Sequence, residues 1–210
     1  MTTIEDGFLA AEAAVILIIM LWSGWNQEAA GGLKTASAVA AMALLLLCGA
    51  FRIDGERLVW NVAAIALMFI AAWVWRNRIP RGDKMYLIGC ALLLGFVQIW
   101  LNSLFQGSPQ LIISRPGWDT AVISGSLAAL LTLRAPAQFF ILSAATLFAS
   151  IYPIWEASAA LPIVIGEAAW WDKFALSAVC CRLSTVALQA MMFFIGKVAI
   201  GRRSRPEREG

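Results

Sequence analysis

The stretch FALSAVCCRLSTVALQAMMFFIGKVAI, Phe174 to Ile200, decides the fold class. At 1.5 Å per residue, ~20 apolar residues in a helix cross the ~30 Å hydrocarbon core of a bilayer, and this run is longer. Arg182 interrupts it. A guanidinium at mid-bilayer costs ~2.5–3.5 kcal/mol on insertion scales, so such a residue faces other helices and finds a partner there. Arg182, Thr185 and Gln189 stand at i, i+3 and i+7, which puts them on one helix face. The rest of the chain is expected to supply what this polar stripe faces.

Outward from that stretch the same pattern recurs. Apolar residues make up 61% of the chain and charged residues 14%, against ~45–50% and ~25% in soluble domains. They gather in long runs divided by short charged clusters, which is the pattern of transmembrane helices rather than of a soluble core. The ~10-residue alternating segments of a β-barrel are absent. The runs predict helices over Phe8–Trp25, Thr35–Phe51, Leu58–Trp75, Met85–Phe105, Trp118–Leu133, Ala137–Trp155 and Phe174–Ile200. The expected fold is therefore an all-α integral membrane protein. It is a bundle of about seven transmembrane helices forming a single domain over 1–210, with a basic tail at 201–210. The acidic N-terminal residues Glu5 and Asp6, with no lysine or arginine before Phe8, argue for a retained first helix rather than a cleaved signal peptide.

The connections carry turn chemistry. Arg52 to Arg57, centred on Asp54-Gly55, reads as a tight polar turn. Arg134-Ala135-Pro136 is equally short, so the helices on either side are expected to form an antiparallel pair. Their small residues, Ser124, Gly125, Ser126, Ala128 and Ala129 on one and Ser143, Ala144, Ala145, Ala149 and Ser150 on the other, are expected to meet each other. Glu156 to Lys173 contains an apolar segment, Leu161–Ile165, too short to span. It is read as interfacial or re-entrant, with Trp170 and Trp171 anchoring the last helix.

Seven spans put the termini on opposite sides. The N-terminal side then holds 4 basic residues and the other side 11, with Arg182 inside the membrane. Positive charge collects on the cytoplasmic side, so the N-terminus is expected outside and the C-terminus in the cytoplasm of a bacterial plasma membrane.

The chain contains no histidine, which excludes Ser-His-Asp and Cys-His catalysis and histidine-held zinc or haem. Cys48, Cys90, Cys180 and Cys181 lie inside apolar runs without metal-type spacing and read as packing residues. No cofactor, nucleic-acid or catalytic motif is present. The polar residues within the spans are the remaining signal. Glu12, Asn61, Gln98, Asn102 and Asp119 are placed with Arg182 in the outer half by the predicted topology. One outward-facing cluster is expected, with Arg182 balanced by Glu12 or Asp119 and Thr185 and Gln189 beside it.

Two features of detail add a resemblance. The first helix is bounded by tryptophans, Trp22 and Trp25, and Pro116-Gly117-Trp118-Asp119 opens the fifth. With the chain length and the absence of a soluble domain, these make the sequence resemble the YphA-like small membrane proteins of spore-forming Bacillus relatives. The resemblance implies an integral membrane protein and transfers no site residue. The functional expectation is a non-enzymatic protein of the lipid bilayer that binds a membrane partner or a second copy of itself, as a regulator or accessory subunit. The alternative is a permease or channel for a small anion or zwitterion, built on the Arg182 cluster.

Overall fold

A computed structural model describes residues 7–22, 35–49, 51–55, 58–114, 116–156 and 163–203. Trp25, the loop from Asn26 to Lys34, Arg57, Arg115 and the end of the basic tail lie outside them. The described residues form seven α-helices: α1 (Phe8–Trp22), α2 (Thr35–Gly49), α3 (Val62–Asn77), α4 (Lys84–Gly107), α5 (Pro116–Leu131), α6 (Ala135–Glu156) and α7 (Ala168–Arg203). Three apolar stretches, Arg81–Gly107, Ala135–Pro153 and Ala168–Ile195, are long enough to cross a membrane. The other four helices are apolar but shorter.

Two of the elements differ from the expectation. Leu58–Asn61 does not open a helix. It forms strand β2, antiparallel to β1 (Arg52–Asp54), with Ile53 opposite Trp60. The predicted interfacial segment contributes β3 (Ile163–Ile165), which pairs in parallel with β2 so that Val59 meets Val164. Leu161 and Pro162 lie outside the described residues. The bundle is thus closed at one end by a small sheet of strands β1-β2-β3. The second correction is that α7 begins at Ala168, ahead of Phe174. Gly166 makes this entry: its φ is +89°, and a Cβ there would collide with the Cβ of Asn61. Only glycine takes that backbone conformation without strain.

Asn61 joins these pieces. It caps α3 by accepting from the Ala63 N–H at 2.9 Å, and its Nδ2 donates to the Gly49 carbonyl at 3.1 Å. One side chain thereby satisfies an orphan donor at the start of α3 and an orphan acceptor at the end of α2.

The core follows helical spacing. On α4 the buried residues are Leu87, Cys90, Ala91, Leu94, Gly95, Gln98, Leu101 and Phe105, a single stripe at intervals of three and four. Gly95 brings α4 so near α6 that a Cβ would strike the Phe148 ring and crowd the Ala145 carbonyl at 3.3 Å. The opposite face shows Leu92, Leu93, Phe96 and Trp100 exposed, as suits a helix whose outer solvent is lipid.

The expected pairing of small faces between α5 and α6 is replaced by another. α5 packs mainly on α7, and α6 mainly on α4. At Gly125 the α5 backbone lies against the Ser177 carbonyl and Cys180, leaving no space for a side chain. Ser124 is fully buried and returns its hydroxyl to the Thr120 carbonyl, so the small face carries no free donor into the interface. The short α5–α6 turn sets the direction of the pair, but close packing depends on which small face meets which.

Candidate functional site

Two polar junctions hold the bundle, one at each end. At the sheet end, Asp172 of α7 is 3% exposed. Its carboxylate accepts from the Gly7 N–H at 2.7 Å and the Ala10 N–H at 2.8 Å. Gly7 has no side chain to cap α1, so a carboxylate from another helix does so. It also complements the positive end of the α1 dipole. Nearby, Trp170 donates to Ser150 of α6 at 2.8 Å and stacks on Phe174.

At the other end lies Arg182. Its Nη1 donates to Gln138 Oε1 at 3.0 Å. Gln138, in the first turns of α6, is 2% exposed, and both its amide hydrogens and its carbonyl oxygen are engaged. Its Nε2 donates to the Thr132 carbonyl at 2.6 Å and to Thr185 Oγ1 at 2.7 Å. Thr185 in turn donates to the Cys181 carbonyl at 2.7 Å. The direction of this chain is forced. Both terminal carbonyls can only accept, so Thr185 must donate to one and the Gln138 NH₂ to the other. The Gln138 carbonyl oxygen is then left for the guanidinium. The network ties α5, α6 and α7 together through one buried amide.

Arg182, Val186 and Gln189 form one wall of a cleft of about 720 Å³. The turn from α3 to α4 supplies Arg78, Ile79, Pro80 and Asp83, and the turn from α5 to α6 supplies Thr132 to Ala137, including Arg134. Tyr86 and Leu87 of α4 complete it, and the Tyr86 hydroxyl donates to the Leu131 carbonyl at 3.0 Å. Arg134 and Asp83 form an ion pair at 2.8 Å that stays 69% and 48% exposed. Among the described residues, three arginines and one aspartate line the space, a local excess of positive charge. Guanidinium forks present paired N–H donors that match carboxylate and phosphate oxygens.

The eight polar residues picked out by the sequence are divided between these regions. Arg182, Thr185 and Gln189 share the cleft end, and Gln138, outside the predicted cluster, is what Arg182 and Thr185 meet. Asp119 is at the far end of α5. It accepts from the Ile113 and Ser114 N–H groups and from the Ser114 hydroxyl, tying the preceding loop to the helix start. Thirteen residues separate it from Thr132, roughly 20 Å of helix rise. Asn102 accepts from Thr120 at 3.1 Å near that same end, Gln98 is buried on the α4 stripe, and Asn61 caps α3. Glu12 is exposed on α1, two residues past Ala10. Arg182 is ten residues beyond Asp172, about 15 Å along α7. A single cluster of Arg182 with Glu12 or Asp119 is replaced by two separate ends. Gln138 had one signal available: it is a lone amide in the apolar run of the sixth helix. Asp172 stood in a segment too short and mixed to be assigned.

Apolar helices with lipid-like outer faces, polar junctions inside and charged turns define an integral membrane protein of the helical class. The chain belongs to the YphA-like integral membrane protein family, whose model matches residues 32–208. No curated protein and no solved structure matches it.

Proposed function

We propose that this protein binds an anionic group in the Arg78–Arg134–Arg182 cleft and acts without catalysing a reaction, as an accessory or regulatory component of a bacterial plasma membrane. The observation that carries this reading is the convergence, among the described residues, of three arginines from three separate segments on one cleft with a single aspartate. Like charges repel when brought together, so a site of this kind is favoured when an anion enters it. The topology that accompanies the proposal has seven spans, the N-terminus outside and the C-terminus in the cytoplasm. The cleft then opens at the cytoplasmic face, where the positive-inside bias also collects charge.

Titration of the purified full-length protein with inorganic phosphate and with citrate, followed by calorimetry, tests the binding. Saturable uptake that weakens in Arg182→Gln is expected. Heats indistinguishable from buffer for both anions in protein freed of lipid, with no anionic lipid retained on reconstitution, refute the reading. The topology is tested separately by thiol labelling of Arg81→Cys in right-side-out and inverted vesicles, with reaction expected only in the inverted ones.

A further inference from the structure

We infer that the occupant of the cleft is a phosphate ester, and that it enters as the headgroup of an anionic phospholipid. The inference rests on the anion-binding reading and adds the chemistry of the ligand. The walls of the cleft are of two kinds. Arg78, Arg134 and Arg182 offer guanidinium forks, and Leu133 and Val186 stand beside them at 38% and 49% exposure. A soluble anion needs only the first kind. A molecule with a phosphate and an adjoining acyl glycerol uses both, its phosphate among the arginines and its first methylenes along the leucine and valine.

Position agrees with this. Two of the three contributing segments are interhelical turns at the same end of the bundle, with Lys84 at the start of α4 beside them. Basic side chains between helix ends at the membrane surface are where headgroups are held, and each arginine there adds attraction to an anionic lipid. The space, at about 720 Å³, falls within the roughly 300–1,000 Å³ of sites that enclose ligands of headgroup size. Asp83 would repel a phosphate, but it is already engaged with Arg134 at 2.8 Å. That pair leaves further N–H donors on the Arg134 fork, which carries five. Gln138 is a positioning residue here: its amide takes one guanidinium N–H of Arg182 and so fixes the plane of the fork at the cleft wall.

The test uses the full chain, delipidated and then placed in nanodiscs of phosphatidylcholine with increasing phosphatidylglycerol. Native mass spectrometry of the released complex counts retained lipid, and glycerol 3-phosphate and inorganic phosphate are titrated in parallel. One retained phosphatidylglycerol per chain is expected. Arg134→Gln and Arg182→Gln should each lower its occupancy constant about fivefold or more. Arg76→Gln, an exposed arginine of α3 at the same end that is absent from the cleft wall, should leave it unchanged. Arg134 is exposed, so its variant remains informative where the Arg182 variant fails to fold. Equal loss in Arg76→Gln overturns the site in favour of a general surface attraction. Binding of glycerol 3-phosphate or phosphate as tight as that of the lipid overturns the lipid source and keeps the phosphate chemistry. Binding of citrate alone overturns the phosphate ester but leaves the anion reading standing, whereas loss of every anion removes both.

Discussion

Replacing Gln138 by leucine removes the centre of the α5–α6–α7 network at nearly constant volume. Three hydrogen bonds go with it: to Thr132, to Thr185 and from Arg182. Interhelical polar contacts in membranes average about 0.6 kcal/mol each, which gives about 1 kcal/mol for the two neutral bonds. The bond from the guanidinium is charge-assisted and contributes about 1.5–3 kcal/mol where solvent is excluded. The open cleft lets water reach Arg182 and places it at the lower end. The expected loss for Gln138→Leu is therefore about 2–3 kcal/mol. A double-mutant cycle with Arg182→Met isolates the shared part, which should be about 1–2 kcal/mol. The corresponding cycles of Arg182→Met with Glu12→Gln and with Asp119→Asn should be additive within about 0.5 kcal/mol, because those groups are separated along the bundle. Unfolding by dodecyl sulfate in mixed micelles, followed by far-UV circular dichroism, supplies the free energies. Additivity for the Gln138 cycle, together with coupling above about 1 kcal/mol to Asp119 or Glu12, would refute the assignment of Gln138 as the partner of Arg182.

Other substitutions probe the remaining junctions. Asp172→Ala should free the start of α1 at a cost of about 0.5–2 kcal/mol. Hydrogen exchange should speed up at the Ala10 amide, and unchanged exchange there would contradict the cap. Gly125→Ala should separate α5 from α7 and cost about 1–3 kcal/mol. Gly89→Ala, where a Cβ meets nothing within 4 Å, should be neutral or gain up to about 1 kcal/mol; similar melting temperatures for the two variants would argue against the close approach. Arg134→Gln breaks an exposed ion pair and should change stability by less than about 1 kcal/mol, so any larger shift in the same unfolding assay would mean that Arg134 has an additional structural role.

The cleft was partly legible. Arg182, Thr185 and Gln189 announce themselves as a polar face because helical spacing is a local rule. The amide that Arg182 and Thr185 meet does not, since Gln138 is forty-four residues from Arg182 in sequence and no local rule connects them. The predicted topology placed Arg182 by its position within the run Phe174–Ile200. α7 starts earlier and runs to Arg203, so its 36 residues, about 54 Å long, exceed the bilayer core, and depth along the apolar run is not depth in the bundle. Asn61 was similarly displaced. It read as a residue inside a helix and stands at its cap, because Leu58–Asn61 is drawn into a ladder by Ile163–Ile165, over a hundred residues later.

Membrane environment and helical class are written in the chain's local pattern. Apolar content, run length and charged turns act through the transfer of each segment into lipid, and each segment is judged alone. Which small face meets which, where the buried carboxylate and amide find their partners, and that three arginines from separate segments share a cleft are visible only in the folded bundle. Those outcomes depend on contacts between segments distant in the chain. Many pairings would satisfy the same hydropathy, and close packing with satisfied polar groups selects among them.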